Sequence, residues 1–151
     1  MTQTPTLTGQ DIAEAEGAVQ ALLDAILSAS GSTTRNEYVV LRVLTVRSPA
    51  GSPAAFSEYL AGQRQLGLNR PAAAALLAGL EAKGLISGSP EDGQGPVQLT
   101  AAGAALFAKL AEAIAPVTAR LYNGIDPGDL AVAHEVLARV TERAGHLRQE
   151  L

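Results

Sequence analysis

A mainly α-helical fold with one short β-hairpin is what this sequence predicts, and three observations carry that expectation. Alanine and leucine, both strong helix formers, dominate the chain. Apolar residues recur every three or four positions over long stretches. Between Gly84 and Thr100 that rhythm gives way to Gly, Pro and Asp flanked by short extended pieces, which is hairpin chemistry. The 151 residues suit one domain, and an aromatic content of 3% points to aliphatic helix-on-helix packing.

The elements follow in order. Ile12, Ala15, Val19, Leu22, Leu23, Ile26 and Leu27 keep helical spacing and place helix 1 over residues 11–28. SASGSTT ends it. Thr34-Arg35-Asn36-Glu37 reads as a capping box opening helix 2, which runs to about Ser48-Pro49. Its β-branched run VVLRVLTV also suits a strand; the cap, and a shared helical face of Val40, Leu41 and Leu44, favour helix. PAGSP reads as a turn, and Phe56, Tyr59 and Leu60 begin helix 3, ending near Gln65. Asn69 is an N-cap and Pro71 sits in the first turn of helix 4, which runs to about Lys83 with Gly84 as its C′ residue. Leu85-Ile86-Ser87 and Val97-Gln98-Leu99 are the hairpin strands. Thr100 caps helix 5, which continues to Leu121, and Pro116 inside it is expected to kink or split it. Asp126-Pro127 opens helix 6. Along it Leu130, Ala133, Leu137, Val140, Ala144, Leu147 and Leu151 form a heptad seam. That seam packs either inside one subunit or against a second copy.

Composition excludes several chemistries. The chain has no cysteine, which removes disulfides, thiolate metal sites and thiol redox sensing. The opening MTQTPTLTGQ has neither the basic nor the apolar part of a secretory signal, so a cytoplasmic location is expected. No apolar run is read as long enough to span a bilayer, so no membrane partner is expected. The net charge is −4, unevenly spread: residues 1–33 hold four acids and no base, 34–103 sum to +1, and 104–151 sum to −1. No basic patch stands out.

The middle of the chain resembles a winged helix-turn-helix, and the whole resembles the MarR family of bacterial transcriptional regulators. Three motifs in order carry the resemblance: Thr34-Arg35-Asn36-Glu37-Tyr38-Val39-Val40-Leu41, Leu80-Glu81-Ala82-Lys83-Gly84-Leu85-Ile86, and Leu99-Thr100-Ala101-Ala102-Gly103. The second is similar to the family's exit from the recognition helix and the third to its exit from the wing. The resemblance implies a single MarR-like domain over 1–151. Within it 34–103 form the DNA-binding lobe, and 11–30 with 104–151 form a dimerisation region. It implies a homodimer on a pseudo-palindromic double-stranded operator, with helix 4 in the major groove. It also implies modulation by a small aromatic or phenolic ligand bound between lobe and dimerisation helices. The cysteine-based peroxide-sensing branch is ruled out by composition.

The resemblance has two departures. On a helical wheel at about 100° per residue, Ala73, Leu76, Leu77 and Leu80 share a buried face. The opposite face of helix 4 is Pro71, Ala74, Ala75, Ala78 and Ala82, with no side chain able to read a base edge by hydrogen bonding. In the wing, Gln94 stands where the family has arginine. Polar groups remain around helix 4, and Arg64, Asn69, Arg70 and Gln94 are the candidate DNA contacts, with solvated surface as their bland alternative. Tyr38 and Arg42 are the candidate ligand contacts on helix 2, although Tyr38 also suits the core.

No catalytic constellation is present: no nucleophile elbow, no phosphate-binding glycine loop, no metalloprotease helix. His134 and His146 are twelve residues apart, about 120° around helix 6, which gives no metal pair. Neither an enzymatic activity nor a cofactor or metal is expected. Two functions stand: a MarR-type regulator, and a winged-helix dimer that has lost specific DNA binding and serves as a protein-interaction or small-molecule-binding module.

Overall fold

The computed structural model describes residues 4–47, 50–88 and 95–151. Its elements are α1 (Gly9–Gly31), α2 (Arg35–Arg47), α3 (Pro53–Gly62), a 3-10 turn (Arg64–Leu66), α4 (Arg70–Ala82), β1 (Ile86–Ser87), β2 (Gln98–Leu99), α5 (Ala101–Tyr122) and α6 (Pro127–Glu150). The chain divides into two compact units, Met1–Ala115 and Pro116–Leu151.

In the first unit the core gathers Val40, Leu41 and Leu44 of α2, Phe56 and Leu60 of α3, and Ala73, Leu77 and Leu80 of α4, with Ile86 and Val97 beneath. Each buried leucine contributes about 1.5–3 kcal/mol of transfer free energy. The strand alternative for α2 is settled by three leucine and valine side chains that reach this core only at helical spacing. β1 and β2 pair antiparallel, Ile86 opposite Leu99 and Ser87 opposite Gln98. The hairpin base extends further than expected: the Ala50 N–H donates to the Val97 carbonyl (2.9 Å) and the Val97 N–H donates to the Gly51 carbonyl (2.8 Å).

The stretch read as the turn PAGSP therefore splits in two. Ala50 and Gly51 pair with Val97, while Ser52 caps α3, its hydroxyl accepting from the Ala55 N–H (3.2 Å), and Pro53 fills the first helical position. Helix 1 also begins earlier than expected. Thr8 and Asp11 form a reciprocal capping box that carries α1 from Gly9.

α5 crosses Pro116 without breaking. Proline removes one N–H from the ladder, and the remaining i→i−4 bonds hold the helix on either side. The same helix corrects the membrane reading. Among the described residues α5 alone is, by length and composition, long and apolar enough to cross a bilayer, with a mean hydropathy of 1.3 over its best window. Alanine accounts for much of that figure, and Leu106, Phe107 and Leu110 of its first half pack on or within the first unit.

The second unit is dominated by α6. Asp126 caps it, its carboxylate accepting from the N–H groups of Gly128 (2.7 Å) and Asp129 (3.3 Å). α6 buries none of its residues: Val132 and Leu147 are each 60% exposed and Leu137 is 44% exposed. A cleft of about 350 Å³ lies between the end of α5 and α6, lined by Tyr122, Leu130, Ala133, His134 and Leu137.

Candidate nucleic-acid interface

α3, the 3-10 turn and α4 make a helix-turn-helix. Gly67 takes a left-handed conformation (φ 62°), which lets the chain reverse between the two helices. Asn69 then caps α4, its side-chain oxygen accepting from the Ala72 N–H at 2.8 Å. At the far end the Gly84 N–H donates to the Glu81 carbonyl (2.8 Å) and the Leu85 N–H to the Leu80 carbonyl (3.0 Å). This is the Schellman arrangement, with Gly84 at φ 73° in the C′ position the sequence assigns it.

The three motifs behind the family resemblance lock this helix in place. Thr34 and Glu37 complete the capping box of α2, and Glu37, buried, also pairs with Lys83 at the end of α4. The Asn36 amide donates to the Leu66 carbonyl (3.3 Å), tying α2 to the turn before α4. Arg35 pairs with Asp24 of α1 (2.7 Å). The Thr100 hydroxyl donates to the Gly84 carbonyl (2.6 Å) and accepts from the Gly103 N–H (3.0 Å), while the Thr100 N–H donates to the Leu85 carbonyl (3.1 Å). The ends of α4, β2 and α5 thus meet at one junction, and Glu37 anchors it from α2.

Burial alone would raise the Glu37 pKa. The Lys83 ammonium and the N–H and hydroxyl of Thr34 outweigh it, and the net shift is downward. A depressed carboxylate pKa contributes stability that is fully present above the unfolded value and disappears as pH falls through the folded one. Glu37→Gln is expected to cost about 1–2 kcal/mol at pH 7, discounted because Lys83 is half exposed. Urea denaturation should show the gap between variant and wild type shrinking below about pH 4.3, the ordinary glutamate value.

The candidate DNA contacts named from the sequence are distributed around α4. Arg64 is exposed in the 3-10 turn, and Asn69 and Arg70 are exposed at the start of α4. Asn69 is committed to its cap through the side-chain oxygen, which leaves its NH₂ as donor. Arg70 lines a cleft of about 420 Å³ with Ser52, Pro53, Ala54, Ser57, Pro71 and Ala74. Gln94, with Glu91 and Asp92, lies outside the described residues. The outer face of α4 is as the wheel predicts: Pro71, Ala75 and Ala82 are exposed, and Ala74 and Ala78 are half-buried.

Tyr38 and Arg42 have different surroundings. Tyr38 stacks on Phe107 of α5, centroids 5.8 Å apart. Arg42 is exposed and lines a cleft of about 250 Å³ between α2 and α3, beside Arg47, Tyr59, Gln63 and Gln65. Sequence reasoning also passed over Ser57, a polar residue on the stripe Pro53–Phe56–Leu60 that α3 turns inward; that placement was the signal available.

No protein-family model and no curated protein matches the sequence. Solved structures do. A MarR family transcription regulator, SP03579, superposes with a TM-score of 0.74 at 19% identity over 94% of this chain and 91% of its own. The transcriptional regulator PA3341 superposes at 0.72 with 28% identity, over 91% of this chain and 98% of its own. The chain has the MarR-family winged-helix fold. The Mycobacterium tuberculosis MarR family protein Rv2887 shares it as well. In complex with DNA it superposes at 0.67 with 25% identity, over 90% of this chain and 98% of its own. The same protein is also solved with salicylic acid, at 0.64 and 24% identity, over 90% and 99%. Within the MarR fold, α4 is the second helix of the helix-turn-helix and β1–β2 the base of the wing.

Proposed function

We propose that this chain is a MarR-type DNA-binding transcriptional regulator acting as a homodimer on a pseudo-palindromic operator. The observation that carries this reading is α4: an exposed outer face of small residues, with Asn69 and Arg70 at its leading end, held rigidly by its two caps and the Glu37–Lys83 pair. Such a helix can approach a duplex closely, with Arg64 and Arg70 on phosphates and the alanine methyls against thymine methyls. Residues 34–103 would be the DNA-binding lobe, and 11–30 with 104–151 the dimerisation region. The M. tuberculosis protein solved on DNA supports this by likeness of fold. Its salicylic acid complex supports modulation by a small aromatic acid, for which Arg42 and Tyr38 are the residues to examine.

A second reading has its own observation. The outer face of α4 carries no side chain that donates or accepts a hydrogen bond, so the usual discrimination of about 1–3 kcal/mol per bidentate base contact is missing there. A winged-helix dimer of this kind would bind DNA without preference, or serve another partner. Fluorescence anisotropy against the chain's own upstream DNA and an unrelated duplex, at two salt concentrations, separates the two. The regulator reading expects a clear preference for the upstream DNA; a ratio near one supports the second. In the same assay Arg70→Ala should weaken binding to every sequence and lower the salt slope by about one per subunit. Unchanged affinity and slope would remove Arg70 from the interface.

A further inference from the structure

A basic cleft opens between the second half of α2 and the end of α3. Val39, Arg42, Val43, Val46 and Arg47 recur at helical spacing and form one wall. Tyr59, Gln63 and Gln65 form the other, around a space of about 250 Å³. Both arginines are exposed, and among the described residues neither is paired with a carboxylate. No acid lines the cleft, although the chain as a whole has a net charge of −4. Val46 is 80% exposed, more than any other large apolar residue described except the terminal Leu151.

The polar groups of the cleft are held in place. The Arg47 guanidinium lies over the Tyr59 ring, 5.1 Å from its centroid, and Tyr59 stacks on Phe56 with centroids 6.1 Å apart. A cation–π contact places the guanidinium without using its N–H donors. The Gln65 amide donates to the Gln63 side-chain oxygen (3.3 Å), which leaves the Gln63 NH₂ as a donor and the Gln65 oxygen as an acceptor. A donor beside an acceptor matches the N–H and C=O groups of an extended peptide.

These features select the occupant. The space falls below about 300–1,000 Å³, the usual range of small-molecule pockets, and takes about one inserted side chain. A small anion would leave Val46 uncovered, whereas a chain crossing the cleft covers it. A phosphodiester backbone has nothing apolar to set against Val43 and Val46. Two unpaired guanidinium groups select carboxylates.

We propose that the cleft between the C-terminal halves of α2 and α3 docks an acidic segment of a partner protein. One apolar side chain enters against Val43, Val46 and Tyr59, and carboxylates beside it pair with Arg42 and Arg47. α3 rises about 1.5 Å per residue, so this cleft lies roughly 10–15 Å from the first turn of α3, beside which Arg70 stands. The surface is therefore separate from the start of α4, and it stands under either reading of the protein's function.

The test uses the full-length chain. A random linear peptide library is selected on wild type, after depletion on the Arg42→Glu/Arg47→Glu double variant. Both side chains are exposed and outside the core, so the double variant should stay folded by circular dichroism. Where it melts lower, Arg42→Glu alone takes its place, since Arg42 has no ring contact to lose. Selected peptides should be rich in Asp and Glu around an apolar residue. Such a peptide, labelled for anisotropy, should bind Arg42→Glu and Val46→Asp at least about tenfold more weakly than wild type. Its analogue with Asn and Gln in place of Asp and Glu should lose binding. Adding the peptide should move the amide resonances of 39–47 and 59–65. A selection that yields no acidic peptide, affinity that is unchanged in Arg42→Glu, or shifts that fall elsewhere would overturn the inference. So would salicylate that displaces the peptide and moves the Arg42, Val46 and Tyr59 resonances, which would make this a small-anion pocket. A DNA duplex with the same effect would assign the arginines to nucleic acid and overturn it too.

Discussion

Gly103→Ala is expected to destabilise the fold by about 3 kcal/mol or more, at the upper end of overpacking costs. Gly103 lies in the first turn of α5, where helix propensity alone would favour alanine by roughly 1 kcal/mol. The tertiary position reverses the sign. A Cβ built there would sit 2.1 Å from the Leu85 carbonyl oxygen, 3.0 Å from its carbon and 2.8 Å from Leu99 Cδ1. The leucine side chain can rotate, but the carbonyl is fixed by the bond it accepts from the Thr100 N–H (3.1 Å). Relief requires moving α5 away from the α4 cap and breaking the Thr100 bridge. Gly17→Ala is the matched control, because nothing lies within 4 Å of a Cβ there and α1 should gain up to about 1 kcal/mol. Urea denaturation of both variants checks the pair. A stabilised Gly103→Ala would mean the close approach at this junction is wrong.

Leu137→Asp is expected to convert the proposed dimer to a monomer. Leu137 sits at the middle of the heptad seam and lines the apolar cleft with Tyr122 and Leu130. Val140 (40% exposed) and Leu147 (60% exposed) continue the stripe. In the proposed dimer each protomer buries the part of Leu137 still exposed (44%), worth about 1 kcal/mol apiece, and the substitution adds an unpaired carboxylate to a dry surface, which costs several kcal/mol more. At 1.4 kcal/mol per decade, the dimer dissociation constant should rise by at least about 100-fold. Solution mass should fall from about twice the 15.4 kDa chain mass to that of one chain. Under the proposed regulator function, affinity for the upstream DNA should fall with it, because a pseudo-palindromic site needs two lobes held together. A wild-type chain that runs as a monomer, or a variant that stays a dimer, would overturn the assignment of this seam.

Much of the element order was legible because its signals are local. Thr34 and Glu37 are three residues apart, Asn69 caps a helix three residues on, and Gly84 follows the last turn of α4. Each of these contacts is decided by spacing along the chain. The box of Thr8 and Asp11 has the same spacing but lies ahead of the first apolar residue of the helical period, Ile12. Ser52 before Pro53 carries both a turn signal and a helix-start signal, and the second prevails. Pro116 does not split α5, because a long helix can absorb the loss of one N–H.

What the sequence by itself determined is the list of helices, the hairpin between Gly84 and Thr100, and a fourth helix whose outer face is alanine. Those follow from period and capping, which act over three or four residues. Only the tertiary structure decided what the motif residues do. Glu37 meets Lys83 across 46 positions, Thr100 meets Gly84 across 16, and Ala50 pairs with Val97, and no periodicity encodes such encounters. The same holds for Ser57, an unremarked serine until folding buries it. Chain geometry selects the elements; only packing brings distant polar groups within the 3 Å or so at which hydrogen bonds act.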